Sequence, residues 1–449
     1  MTSTRRRAAA FALVATLALA VPLLGVAGGV PFLLVAALAA VTTDGPLFDL
    51  FARPGDRRAE RLDGLLAFSL AATALTLLPV ALGLPVGVVV GTVLLVGWGN
   101  LAAAWARSHR RSEFVTTAGF LAAGSLAAGA GLAAAGPLAE RGVGTAVPAL
   151  ALPAVETVPE PTVVFLAASG ALFAGLLRAV FPGREDPLQL GAVAVLLWLL
   201  HEVPVDVSWQ GVGLALAVTA AFGYVSYALD TASITGMLTG VFLGLLTVVL
   251  GGYGWFAVLL GFFGIGGLST KFRYQEKLDR GVAEADGGAR GTANVLGNSA
   301  PALVAVVLFA AGDHALVPVA PAVFAHAFAG SLATALGDTL SSEIGGLYDR
   351  PRLVTTLERV DPGTDGAVTW QGELAGLAGA AIIAGIAVPL FPLDPLGGVV
   401  VVVAGLAGMT ADSVLGATVE GGLLGNQSVN FLATATGAVT GGALAFAVL

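Results

Sequence analysis

Residues 396–418 read L-G-G-V-V-V-V-V-A-G-L-A-G-M-T-A-D-S-V-L-G-A-T, with no charge before Asp412. Roughly 20 such residues cross a bilayer as a helix, because the lipid core offers an open backbone no hydrogen-bond partner. Similar runs recur throughout the chain, with expected starts near residues 8, 26, 64, 85, 114, 162, 187, 211, 233, 254, 300, 317, 372, 396 and 428. They predict an all-α, polytopic integral membrane protein with about 15 transmembrane helices. The run after Arg5-Arg6-Arg7 lacks a small-x-small cleavage site and is read as a first transmembrane helix, not a secretory signal.

Composition points the same way. Of 449 residues 57% are hydrophobic and 11% charged, and the mean hydropathy is +0.90; soluble domains carry roughly 25% charged residues. Cysteine is absent, which excludes disulfides, thiolate metal sites and cysteine nucleophiles. A net charge of −8 argues against nucleic acid as a partner.

The basic residues set an expected orientation. They cluster at Arg5–Arg7, Arg53–Arg61, Arg107–Arg111, Arg178 and Arg184, Lys271–Arg290 and Arg350–Arg359. In an alternating topology all of these fall on one side, and only Arg141 falls opposite. The positive-inside rule makes that side cytoplasmic, so the N-terminus is expected in the cytoplasm of a multi-pass cell-membrane protein.

Two regions differ in character. Residues 1–190 are bland Ala/Leu/Val helices with simple basic loops, an N-terminal transmembrane region of unclear role. Residues 191–449 carry four polar segments, at 224–236, 269–299, 330–372 and 411–431, all on the expected cytoplasmic side. An internal echo links Gly99-Asn100, Arg107, Arg110 and Thr116-Thr117 to Gly337-Asp338, Arg350, Arg352 and Thr355-Thr356. If this is a repeat, Asn100 stands where the second copy has Asp338.

The polar segments hold the candidate chemistry. Asp338, Glu343 and Asp412 sit near expected span ends, where an acid is costly unless paired, hydrated or metal-bound. Three acids without three adjacent bases point to a divalent cation such as Mg²⁺, which takes oxygen ligands and usually bridges substrate phosphates. Asp338, Ser341 and Ser342 share a helix face, whereas Glu343 falls off it. The alternative is that these acids cap helices or pair with Arg350 and Arg352. Lys271, Arg273, Lys277 and Arg290 lie close in sequence to Gly287-Gly288 and Gly291, a composition suited to phosphate, or to a solvated loop held by anionic headgroups. The phosphate-loop spacing G-x-x-x-x-G-K-[ST] is absent. Asn294 and Asn298, four apart, and Asn430 are amides suited to a base, a phosphate or a neighbouring helix. Gly363-Thr364-Asp365-Gly366 reads as a tight turn. His201, His314 and His326 are scattered and read as structural, and His109 belongs to a basic loop.

Taken in order, S-T-K-F, A-D-G-G-A-R-G-T-A-N-V-L-G-N, F-A-G-S-L-A-T-A-L-G-D-T-L-S-S-E-I-G, P-R-L-V-T-T, P-G-T-D-G-A-V-T-W-Q-G and A-D-S-V-L-G-A-T-V-E resemble the transmembrane-protein-19-like family, catalogued as domain of unknown function ninety-two. The resemblance covers residues 192–449. The family's understood branch is the phytyl-phosphate kinase of chloroplasts and cyanobacteria. The resemblance implies a kinase that converts an isoprenyl monophosphate (phytyl or geranylgeranyl) to its diphosphate with a nucleoside triphosphate, CTP by analogy with related polyprenol kinases. It implies catalytic roles for Asp338, Glu343 and Asp412, with Asp338 and Asp412 holding Mg²⁺. Substrate or phosphate contacts are implied for Lys271, Arg290, Asn294, Asn298, Thr339, Thr356, Asp365 and Asn430. Residues 420–430 are shorter than in many relatives. A lipid or small-molecule transporter or flippase, and a membrane cytidylyltransferase, are the competing functions.

Overall fold

The computed structural model describes residues 3–152, 157–181, 185–203, 205–284, 289–313, 317–391 and 393–448. Arg184, the Gly287-Gly288 pair and His314 lie outside these ranges. Contacts divide the chain into two compact units, one of Met1–Val203 with Val207–Val212, the other of Pro204–Asp206 with Gly213–Leu449.

The first unit holds α1 (Ser3–Thr16), α2 (Ala20–Leu24), α3 (Val30–Val41), α4 (Gly45–Phe51), α5 (Pro54–Ala59), α6 (Asp63–Leu82), α7 (Val86–Ser108), α8 (Glu113–Ala139), α9 (Glu160–Val180) and α10 (Glu185–Glu202). Its centre is α7, packed on α1, α8 and α9. Val88 through Val90 and Leu95 of α7 are fully shielded. The division falls later than residue 190 because α10 packs on α6, α7 and α9.

The second unit contains most of α11 (Trp209–Ala228), then α12 (Ile234–Gly251), α13 (Tyr253–Lys271), α14 (Tyr274–Asp279), α15 (Thr292–Asp313), α16 (Pro321–Gly345), α17 (Trp370–Leu390), α18 (Pro395–Thr418) and α19 (Asn426–Val448). Side-chain oxygens start three of these helices by accepting from otherwise orphaned backbone N–H groups: Ser233 from Gly236 at 3.1 Å, Thr369 from Gly372 at 3.1 Å and Asp394 from Gly397 at 2.7 Å. The core element is α16, which packs on α13, α15, α17, α18 and α19. Small residues let the backbones approach closely: a Cβ on Gly330 would stand 2.7 Å from the carbonyl of Gly437 on α19.

The all-α reading holds, but the number of spans differs from about 15. Among the described residues twelve helices are long and apolar enough to cross a membrane, or thirteen if the pair α3 and α4, bent by 110°, is one span. Two expected spans account for most of the difference. The apolar part of α10, Pro187–Glu202, is short. Helix α16 has Asp338, Thr339, Ser341, Ser342 and Glu343 in its C-terminal third. Its neighbours bury much of it, Thr339 and Glu343 included, so these two groups meet protein where lipid would penalise them.

One small departure from helix matters to the site. Strands β1 (Arg352–Leu353) and β2 (Ala367–Val368) pair antiparallel, Arg352 opposite Val368 and Leu353 opposite Ala367. They close the loop after α16 and set the turn at residues 361–366 against α18. Gly366 has φ +73°, and a Cβ there would stand 2.3 Å from the backbone nitrogen of Ala417. Only glycine meets both conditions without strain.

Candidate functional site

In the second unit the C-terminal half of α16, the starts of α15 and α19, the end of α18 and the β-hairpin turn surround a cavity of about 500 Å³. Asp338, Thr339, Ser341, Ser342 and Glu343 enter it from α16, Asn294 and Asn298 from α15, Asp412 and Ser413 from α18, and Asn426 and Asn430 from α19. Loops add Glu284, Arg290, Asp365 and Glu420. Residues distant in sequence thus share one polar space, on helices whose remaining faces are apolar.

Arg290 is anchored by its backbone and incompletely satisfied at its tip. Its N–H donates to the carbonyl of Thr231 at 3.0 Å, and the N–H of Ser233 donates to its carbonyl at 3.1 Å. The residue is 6% exposed. Nη2 donates to Thr339 Oγ1 at 3.3 Å, and the group lies over the Phe262 ring, 5.1 Å from its centroid. Nε and Nη1 are buried with no partner among the described residues. Burial pulls this guanidinium below its ordinary pKa, against the opposing pull of Glu284, Glu343 and Asp338. Buried N–H groups without acceptors are costly, and an anion would satisfy them.

The carboxyl groups of Asp338 and Asp412 lie within hydrogen-bond reach of each other. Asp412 Oδ1 is buried and has no partner among the described residues. Two facing carboxylates repel unless a proton or a cation lies between them. No cluster of three or more His, Cys, Asp or Glu side chains fit to hold a metal occurs among the described residues. Mg²⁺ does not require one, since it is commonly bound by one or two carboxylates plus substrate phosphates. The facing pair and the orphaned oxygen fit such an ion.

Glu343 also lines the cavity, although its spacing sets it apart from Asp338, because the cavity wraps a wide arc of α16. Its carboxylate pairs with Lys277 Nζ, and both side chains are almost fully buried. Lys277 also donates to the carbonyls of Ser269 at 3.1 Å and Thr270 at 2.9 Å, the C-terminal turn of α13. It therefore complements that helix's negative end as well as the acid. Among the amides, Asn298 Nδ2 donates to the Asn294 carbonyl at 2.9 Å. That acceptor is the backbone oxygen; the side-chain Oδ1 of Asn294 is buried without a partner among the described residues.

Asp338, Thr339, Glu343, Asp365, Asp412, Arg290, Asn294, Asn298 and Asn430 are thus brought together. Lys271 and Thr356 are not among the lining residues. After Lys271 the chain turns through Arg273 at φ 50° into α14, which carries Lys277, itself outside the lining, inward to Glu343. Thr356 sits in an exposed turn, where its hydroxyl accepts from the N–H of Glu358. Glu420 and Asn426 carry no mark in the sequence, whereas Lys277 belongs to the basic segment already noted, although the resemblance points to Lys271. Lys277 had a signal, as one of only two lysines beside nineteen arginines. Glu420 lies beyond the end of α18; burial raises its carboxyl above the ordinary range, a hydrogen bond with Asn426 opposes that, and Asp365 adds to it.

The first unit has its own cavity, about 640 Å³, lined by Arg7, Arg53, Arg107, Arg178 and Asn100. Asn100 pairs with Arg178 there. The carboxylate of Asp56, also in the lining, accepts from the N–H groups of Arg53 at 2.8 Å and Gly64 at 3.3 Å.

Fold and cavity together define a polytopic α-helical membrane protein with a polar site assembled between helices of its second unit. The family described as integral membrane protein DUF92 matches residues 217–438, wholly within that unit. An uncharacterized membrane protein of Methanocaldococcus jannaschii is 34% identical over 209 residues, 46% of this chain and 82% of that one. An uncharacterized membrane protein of Synechocystis is 33% identical over 196 residues, 42% of this chain and 74% of that one. The chloroplastic protein VTE6 of Arabidopsis thaliana is 36% identical over 148 residues, 32% of this chain but only 43% of VTE6. No solved structure matches. The chain belongs to the DUF92, or transmembrane-protein-19-like, family of integral membrane proteins.

Proposed function

We propose that the second unit transfers a phosphoryl group from a nucleoside triphosphate to an isoprenyl monophosphate, making the diphosphate. One observation carries this. A buried guanidinium with two unpartnered nitrogens and a pair of facing carboxylates line the same cavity, so phosphate and a divalent cation have complementary places within it. Motif resemblance to the phytyl-phosphate kinase branch and the match to chloroplastic VTE6 support the kinase class. The arginine distribution supports a cytoplasmic face and a cytoplasmic N-terminus. CTP is the proposed donor.

In the reaction an oxygen of the acceptor monophosphate forms a bond to the donor's γ-phosphorus. The bond from that phosphorus to the β-bridging oxygen breaks, and the nucleoside diphosphate leaves. The acceptor is already an anion near neutral pH, so a strong general base is not required. Arg290 binds phosphate oxygens through Nε and Nη1. Thr339 accepts from Arg290 Nη2 and fixes the plane of the fork. Asn294 and Asn298 orient the donor or acceptor, and Asn430 and Asp365 border the same space. Mg²⁺, held by Asp338 and Asp412, would neutralise charge on the donor's phosphates. Catalysis of this kind is mostly positioning and charge stabilisation.

Purified protein with geranylgeranyl or phytyl monophosphate, Mg²⁺ and each of four labelled nucleotides tests the proposal. A diphosphate product is expected, and Asp338→Asn should abolish it while leaving expression intact. A folded sample that yields no diphosphate with any nucleotide ends the proposal. Release of pyrophosphate would instead identify a cytidylyltransferase, and nucleotide-independent flux in proteoliposomes a transporter.

A further inference from the structure

A second cleft in the same unit touches the polar cavity at a single residue. It lies among α11, α12 and α13 and is lined by Phe222, Met237, Gly240, Leu260, Phe263 and Arg290. Arg290 belongs to both linings. Arg290, 6% exposed and with two unpartnered guanidinium nitrogens, is therefore placed between a largely apolar wall and a polar one. An amphipathic molecule with an anionic head on a hydrocarbon chain matches that junction. Lipid monophosphates have this form, and free phosphate or a nucleotide does not.

The size of the cleft narrows the inference. It encloses about 70 Å³, whereas a cavity of roughly 150 Å³ holds a benzene molecule. Only the first few carbons beyond the phosphate fit. Phe222, 43% exposed, stands at the rim, where the rest of a long chain would pass out among lipid tails. We propose that this cleft receives the phosphate-proximal isoprene unit of the acceptor while the distal chain lies in the bilayer. Acceptors are then distinguished by branching beside the phosphate and hardly by total length. This rests on the kinase proposal for the identity of the acceptor.

Gly240 gives a clean perturbation, because a Cβ there meets nothing within 4 Å. Full-length protein in lipid nanodiscs would be photolysed with a geranyl monophosphate bearing a diazirine on the first isoprene unit. The expected label falls on α12 or α13 and is competed by geranylgeranyl monophosphate. Gly240→Leu should fill the cleft and lower labelling and kcat/KM by about tenfold for geranyl and geranylgeranyl monophosphates alike. Leu260→Ala should enlarge it, raising by about tenfold the preference for an acceptor with isopropyl in place of methyl on the third carbon. Label on other helices, an unaltered preference in Leu260→Ala, or turnover that climbs steadily with chain length would overturn the cleft. Competed label on α12 or α13 without diphosphate from any nucleotide keeps the cleft and removes the kinase. Diphosphate formation with label elsewhere does the reverse.

Discussion

Replacing Lys277 with methionine should be among the most damaging single changes in the second unit. The substitution keeps the length of the chain but removes the ammonium, whose side chain is 1% exposed. Three acceptors lose their donor together: Glu343, 5% exposed, and the carbonyls of Ser269 and Thr270. Stranding one member of a buried ion pair costs about 3–5 kcal/mol. The carboxylate dominates, because a charge without a counter-charge is penalised far more than a helix-end carbonyl. Removing both charges in Lys277→Met/Glu343→Met should recover much of the loss, leaving a coupling energy of about 2 kcal/mol or more. Unfolding by SDS in mixed micelles, measured for both single variants and the double, gives the cycle. A loss below about 1 kcal/mol for Lys277→Met, or additive single effects, would refute the assignment of this pair as a structural anchor. Turnover adds a second result. If Glu343 acts in catalysis and not only in packing, the double variant stays inactive even where its stability is restored.

Asp412→Asn should remove the repulsion between facing carboxylates, raising thermal stability by about 1 kcal/mol without Mg²⁺ while abolishing turnover. Mg²⁺ should raise the melting temperature of the wild type and fail to do so for this variant; an equal rise in both would remove the metal assignment. Gly366→Ala should cost more than about 1 kcal/mol, since it adds a Cβ at φ +73° and 2.3 Å from Ala417. A melting curve unchanged by that substitution would show that the hairpin turn does not hold α18. Glu420 has a pKa raised by burial, so its contribution is fully present below the unfolded-state pKa and is lost as pH rises through the higher folded one. Glu420→Gln should therefore flatten the fall in stability across the upper acid range, and a pH profile identical to wild type would contradict this.

The sequence by itself determined that the chain is a bundle of membrane helices. The reason is local: a backbone in lipid must satisfy its own hydrogen bonds, so uninterrupted apolar runs such as residues 396–411 have no other stable form. It also located the acids and amides of the cavity, because polar residues such as Asp338 and Asn298 stand out against an Ala/Val/Leu background. Three things required the tertiary structure. Only packing shows that Asp338 and Asp412, on different helices, face one another, since the distance between side chains far apart in sequence is set by how helices dock. Which of the two lysines reaches Glu343 likewise depends on packing, through a turn at Arg273 whose positive φ leaves no reliable mark in sequence. Finally, α16 carries too much polarity for a lipid-facing span, and composition alone does not reveal that five neighbouring helices shield it. Burial by protein and burial by lipid look alike in hydropathy and differ in what they permit: the first tolerates a carboxylate that finds a partner, and the second seldom does.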